Sequence, residues 1–145
     1  MNENPEVPRD LRSTCIHEYA HLAVARHFGA SGFVRIARLQ GHANASWAGS
    51  FHLYSDLGSD EWRIVALAGV VAERLDENAQ VRGEALCEAL RDARTLSDSD
   101  ARYASGHDER DIDHCLAIVK SSWREIETMA HERASSINVL YATLA

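Results

Sequence analysis

The sequence lacks the features of a disulfide-bonded or nucleic-acid-binding protein. It has only 3 cysteines, and their wide spacing without a C-x-x-C pair argues against a disulfide framework, so we expect reduced thiols in a cytoplasmic protein. The 15 lysines and arginines are outnumbered by 22 acidic residues, for a net charge of −7. They form no long basic run, and we therefore expect no nucleic-acid partner.

Long apolar runs are also missing. The longest covers residues 64–72, far short of the roughly 20 residues that cross a bilayer, so we expect no membrane span. The first residues carry no signal-peptide pattern and are polar, which predicts a flexible tail over residues 1–9. Because 46% of the residues are hydrophobic, the remaining residues 10–145 can form a single domain with its own core.

What the sequence does contain is an H-E-x-x-H motif, HEYAH at residues 17–21. Two histidines four residues apart lie on the same face of a helix and can bind one metal ion. Glu18 follows the first histidine, so its carboxylate can reach a water molecule on that ion and act as a general base. The alternative interpretation, two satisfied core histidines and a surface glutamate, leaves these polar groups without a chemical role.

The hydrophobic periodicity predicts a mostly α protein with a small antiparallel β-hairpin or sheet. Strands are predicted at 33–39 and 46–54, joined by a turn over 41–45. Helices are predicted at 10–28 (capped by Asp10 or Ser13 and ended by Gly29), at 59–75 and at 84–95, with a loop or helix start at 97–100 and one long or two consecutive helices from 111 onward.

A catalytic zinc ion needs a third protein ligand beside the two histidines and keeps one position open. His27 is six residues beyond His21, and a continuing helix turns it away from the metal. Glu73, in the second helix, is a candidate ligand, and it can instead be a solvated helix glutamate or a partner that orients a ligand histidine. Asp98 and Asp100 are further candidates, and each can instead serve only to cap a helix.

The order of the motifs resembles the peptidase domain of the FtsH-type, ATP-dependent zinc proteases. In that family H-E-x-G-H precedes a short strand pair with a glycine, a core helix reading G-G-x-x-A-E-x-L, and S-N-D-L-x-x-A, whose aspartate binds zinc. The similarity covers residues 9–129, with Ala20 at the family's glycine, and nothing in the chain resembles the P-loop of an ATPase module. The matching segments are HEYAH at 17–21, AGS at 48–50, AGVVAERL at 68–75 and DSDARYA at 98–104.

The resemblance implies a zincin-like helical metallopeptidase domain in which His17, His21 and Asp100 bind Zn²⁺ and Glu18 is the catalytic base. Asp98 and Glu73 stay open as alternative third ligands. We expect an endopeptidase, ATP-independent on its own, that cleaves peptides or unfolded protein segments added as a strand along the sheet edge. The family's rings suggest a homo-oligomer. The alternative function is a catalytically idle metal-binding regulatory or interaction module of the same fold.

Overall fold

The structure, a computed structural model, describes residues 6–39, 46–92 and 94–144. These residues are mostly helical and include a small two-stranded antiparallel sheet, which confirms that part of the predicted fold class. Over these ranges, every helix is too short or too polar to cross a membrane. The elements in chain order are α1 (Arg9–His27), β1 (Gly32–Leu39), β2 (Ser46–Leu53), α2 (Ser59–Glu77), α3 (Gly83–Leu90), α4 (Asp98–Tyr103), α5 (Glu109–Ser121) and α6 (Trp123–Leu144).

Helices α1 and α2 pack against each other at the centre of the core. Helix α2 is apolar on most of its circumference, and residues 64–72 are all buried. Helices α5 and α6 cover this pair with the buried side chains of Val119 and Ile126. Removing this apolar surface from water is the main force that fixes the relative position of α1 and α2.

The start of α1 differs from the sequence prediction. The helix begins at Arg9 with Pro8 as its N-cap, and no side chain caps it. The predicted caps Asp10 and Ser13 are therefore wrong. The carbonyl of Pro8 already accepts the helical hydrogen bond from the Arg12 N–H, at 3.0 Å, so the helix starts one residue before Asp10 and places this acidic residue in its positive first turn.

The segment before α1 contacts the rest of the fold. Val7 is half-buried against the core, and the side-chain amide of Asn138 in α6 donates a hydrogen bond to the Glu6 carbonyl at 3.2 Å. These contacts lie within the predicted tail over 1–9. Residues 1–5 of that tail and the predicted turn over 41–45 lie outside the described residues.

Other element boundaries are close to the predicted ones. Helix α1 ends at His27, one residue before the predicted end, with Phe28 as its C-cap. The predicted terminating residue Gly29 follows directly, and its φ of 88° is a conformation that glycine adopts without strain. Helix α3 stops at Leu90 instead of residue 95. Beyond it the Asp92 N–H bonds to the carbonyl only three residues back, that of Ala89, at 3.3 Å, and the Thr95 hydroxyl donates to the same carbonyl at 2.7 Å. Beyond residue 108 the chain forms two consecutive helices, which meet at Ser122.

Candidate metal centre

Helix α1 presents His17 and His21 on one face, as their four-residue spacing predicts. Both imidazoles point their Nε2 atoms at the same carboxylate oxygen, Oδ2 of Asp100. The distance from this oxygen to Nε2 is 3.2 Å for His17 and 3.3 Å for His21. The three possible ligand atoms lie within 4.8 Å of one another. The described part of the chain therefore holds a triad of two imidazoles and one carboxylate that can bind a metal ion.

The N-terminus of α4 fixes the position of Asp100. The Ser97 hydroxyl caps this short helix by accepting a hydrogen bond from the Asp100 backbone N–H at 3.2 Å. This places Asp100 in the first helical turn, and its side chain is buried while the neighbouring Asp98 is exposed. Asp98 and Asp100 both lie in this first turn, and residues two apart on a helix point about 200° away from each other, which is why only one of the two is buried.

The other ring nitrogen of each histidine, Nδ1, forms a hydrogen bond. The Nδ1–H of His21 donates to the backbone carbonyl of Val65 at 2.6 Å, and the Nδ1–H of His17 donates to Oε2 of Glu73 at 3.1 Å. Such partners keep the proton on Nδ1 and leave Nε2 for a metal ion. Glu73 contacts the side of the His17 ring away from Asp100, which favours its predicted role as a partner that orients a ligand histidine.

The partners on α2 follow a four-residue spacing of their own. Val65, Gly69 and Glu73 lie on one face of α2, opposite His21 and His17. A Cβ atom at Gly69 would overlap the imidazole of His17, so the missing side chain makes room for that ring. A glycine within a core helix indicates that another group approaches closely, but it does not identify that group as the His17 ring. The spacing of Gly69 from Glu73 is the pattern that could have indicated it.

Substituting Gly69 with alanine is expected to weaken metal binding. Alanine normally stabilises a helix interior by about 1 kcal/mol relative to glycine, but here its methyl group would displace the His17 ring. Zinc affinity, measured by competition with a chromophoric chelator, should fall about 10- to 100-fold, as when an outer partner of a metal ligand is lost. The control is Gly58→Ala, because a Cβ there meets no atom within 4 Å. Equal affinities of both variants and the parent would contradict this explanation of the His17 position.

A cleft of about 320 Å³ opens beside the triad. Phe51 of β2 stacks on the His21 ring, with 4.5 Å between the ring centroids. Gly49 lies over Glu18, and a Cβ at this glycine would be only 2.5 Å from Glu18 Cγ. The motif match AGS at 48–50 points to Gly49, whereas no pattern in the sequence indicates the role of Phe51, because it depends on how β2 crosses α1. The lining also includes Ser50, Trp62, Ser97, Ser99 and Tyr103.

Glu18 lies in this cleft next to the triad but outside its set of ligand atoms. The residue is only 8% exposed. Burial raises the pKa of Glu18 above the usual value, although the neighbouring histidines oppose the shift. A raised pKa improves a carboxylate as a proton acceptor near neutral pH, because the base then holds the proton more strongly.

The charges around the triad favour a bound cation. Burial by itself lowers the pKa of His17, but its hydrogen bonds to Asp100 and Glu73 outweigh burial and raise the pKa to about 10. Burial raises the pKa of Asp100, yet its contacts with His17 and His21 outweigh this and keep the pKa well below the usual range. Together with Glu18, these carboxylates create a negative environment that a proton or a metal ion at the imidazoles can neutralise.

Two further sequence candidates lie apart from the triad. His27 is the exposed last residue of α1, where its ring contacts Phe28. Asp98 is the exposed first residue of α4. Neither belongs to the group of side chains that could hold a metal ion among the described residues. The geometry therefore brings together His17, His21 and Asp100 and separates them from these candidates.

The donor set fits zinc, which binds imidazole nitrogen and carboxylate oxygen and keeps an open position in catalytic sites. Two histidines and one carboxylate also suit iron(II). The buried carboxylate of Glu18, in the cleft beside the triad, favours a hydrolytic site over an iron(II) site. Compared with known proteins, the chain matches no family model and no curated protein. Its function must therefore be inferred from the site itself.

Proposed function

We propose that this chain is a zinc-dependent endopeptidase with a zincin-like helical fold of the FtsH type. The observation that carries the proposal is the convergence of two Nε2 atoms and one carboxylate oxygen, with Glu18 beside them in a cleft. Both histidines have Nδ1 engaged by a hydrogen-bond acceptor, as in known metal-binding histidines. A chance H-E-x-x-H motif on a core helix would not require a distant aspartate, an α2 carbonyl and an α2 carboxylate to meet it.

The proposed chemistry divides between the metal and Glu18. Zinc held by His17, His21 and Asp100 supplies a Lewis acid that polarises a carbonyl and makes water more acidic. Glu18 accepts a proton from the attacking water and later donates it to the leaving amine nitrogen. Gly49 has no side chain, and a Cβ there would clash with Glu18 Cγ, so the glycine leaves the Glu18 carboxylate room in the cleft. Phe51 supports the ring of His21 through their stacked contact.

The sheet supports a peptide as the substrate. Residues 49–51 of β2 line the cleft, and within the described ranges β2 pairs only with β1, which leaves its second edge without a strand. An extended peptide can add to a free strand edge through main-chain hydrogen bonds. Because such pairing needs an extended backbone, the preferred substrates are peptides and unfolded segments of proteins. Nothing in this binding mode requires ATP.

Removing the metal should abolish hydrolysis reversibly. Purified protein is expected to cleave members of a broad library of quenched fluorescent peptides, and a chelator should lower the rate at least about 100-fold, because Lewis-acid catalysis is lost. Adding Zn²⁺ back at one equivalent should restore the rate, whereas Mg²⁺ should not, since it prefers oxygen ligands in octahedral geometry.

Two outcomes would contradict this proposal in different ways. Cleavage that persists at the full rate in the chelator would mean that the activity does not depend on a metal. Stoichiometric zinc binding without cleavage of any library peptide would instead favour the alternative function, a catalytically idle metal-binding module. The zinc content of each sample, measured by mass spectrometry of the metal, separates the two.

A further inference from the structure

A second recess continues from the metal cleft. It has a volume of about 410 Å³, and it shares Trp62 and Tyr103 with the cleft. These two rings are stacked, with 4.5 Å between their centroids and 23° between their planes. Since the same pair of side chains borders both spaces, a peptide held at the triad can place a neighbouring side chain in the recess.

Arg102 contributes a positive charge to this recess. It lies two residues after Asp100 on α4, which corresponds to about 3 Å along the helix axis. Its side chain is exposed and, across the described ranges of the chain, forms no ion pair. A guanidinium group offers five N–H donors and suits a carboxylate partner.

The other charged groups of the recess already have partners. Arg63 forms ion pairs with Asp60 at 2.8 Å and with Asp111 at 3.2 Å. Asp56 accepts hydrogen bonds at one oxygen from the Trp62 indole N–H, at 2.8 Å, and from the Leu57 backbone N–H, at 2.9 Å. These contacts keep the pKa of Asp56 below its usual value and give it a structural role.

We propose that this recess is a specificity pocket that binds an acidic side chain of the substrate through Arg102. The inference rests on the proposed peptidase function and extends it to a substrate class. The aromatic pair packs against the aliphatic part of a glutamate, and Arg102 binds its carboxylate. Because the chain has a net charge of −7, its overall charge repels an acidic peptide. Arg102 supplies the local positive charge that lets the recess bind an acidic side chain in preference to a neutral one.

The test compares three peptides of otherwise identical sequence, with Glu, Gln or Lys at one position next to the cleaved bond. That bond is identified in the parent by mass spectrometry, and every position within three residues of it is scanned. At the best position, kcat/KM for the Glu peptide should exceed that for the Gln peptide about fivefold, the size of a partly exposed ion pair. In the variant Arg102→Glu, the ratio of kcat/KM for the Glu peptide to kcat/KM for the Gln peptide should fall below one. The Lys peptide should become the preferred substrate.

The control is Arg124→Glu, which makes the same change of charge on α6 at an exposed position and should leave the ratio at its parental value. Equal rates for Glu and Gln peptides at every position, or a preference for Lys in the parent, would overturn the proposal. The same peptides are also tested for binding to Glu18→Gln by fluorescence anisotropy. If no peptide is cleaved, the peptidase function fails. Binding is then measured with Glu, Gln or Lys placed in turn at each position of one library peptide, so that the Glu-to-Gln ratio of affinities still supports or overturns the role of Arg102.

Discussion

Replacing Glu18 with glutamine is expected to abolish peptide hydrolysis while the metal stays bound. Glutamine has nearly the same shape but cannot accept a proton from water at neutral pH. Loss of a general base typically lowers the rate 10²- to 10⁴-fold, and kcat should carry the decrease. Glu18 lies outside the group of ligand atoms, so the zinc content should equal that of the parent. Steady-state kinetics and metal analysis of the same preparation measure both quantities.

A matched substitution separates this effect from a general loss of negative charge. Glu88 is an exposed residue of α3 and does not line the cleft, so Glu88→Gln should keep the parental kcat. The result that contradicts the assigned role is hydrolysis by Glu18→Gln at the parental rate with zinc bound. Such an outcome would leave the metal site intact but require another base.

Replacing Asp100, the proposed third ligand, with alanine is expected to cause a large loss of zinc affinity. Asp100→Ala removes the only carboxylate oxygen in the triad and should lower zinc affinity by more than the roughly 10- to 100-fold that loss of an outer partner causes. Peptide hydrolysis should fall with the zinc content. Asp98→Ala is the matched control, because Asp98 belongs to the same helix but is exposed. Equilibrium dialysis against buffered zinc measures the affinity of both variants.

This pair of variants also tests the alternatives that the sequence leaves open. If Asp98→Ala lost zinc while Asp100→Ala kept it, Asp98 would be the ligand. If neither lost zinc, Glu73 would be the next candidate, and Glu73→Ala should then lower the zinc content to that of a two-ligand site. If Glu73 instead orients His17 through Nδ1, as their hydrogen bond indicates, Glu73→Gln, which can still hydrogen-bond, should bind zinc better than Glu73→Ala.

The local parts of the site were predictable from the sequence because they depend on helix geometry. The four-residue spacing of His17 and His21 is enough to put both rings on one face of α1. The apolar pattern of residues 64–72 likewise predicts a central helix. The prediction of Asp100 as the third ligand depends on the resemblance to the FtsH-type family. The 79-residue spacing between His21 and Asp100 says nothing about their distance in the fold.

The contacts between elements could not be predicted in the same way. The hydrogen bond from His21 to the Val65 carbonyl involves a backbone atom, which any residue provides. The position of Phe51 over His21 depends on the sheet register and on how β2 crosses α1, and an aromatic residue in a strand is compatible with many packing partners. The early start of α1 at Arg9 follows from the Pro8 carbonyl, whereas side-chain capping preferences indicated Asp10 or Ser13.

The proposed metal centre can be tested by a crystal structure of the protein grown with zinc, with anomalous diffraction recorded at the zinc absorption edge. We expect one strong peak bound by Nε2 of His17, Nε2 of His21 and a carboxylate oxygen of Asp100, each at about 2.0–2.2 Å, with Glu18 facing the open position. A structure with no peak between these side chains, or with the imidazoles turned away from Asp100, would contradict the proposed zinc site.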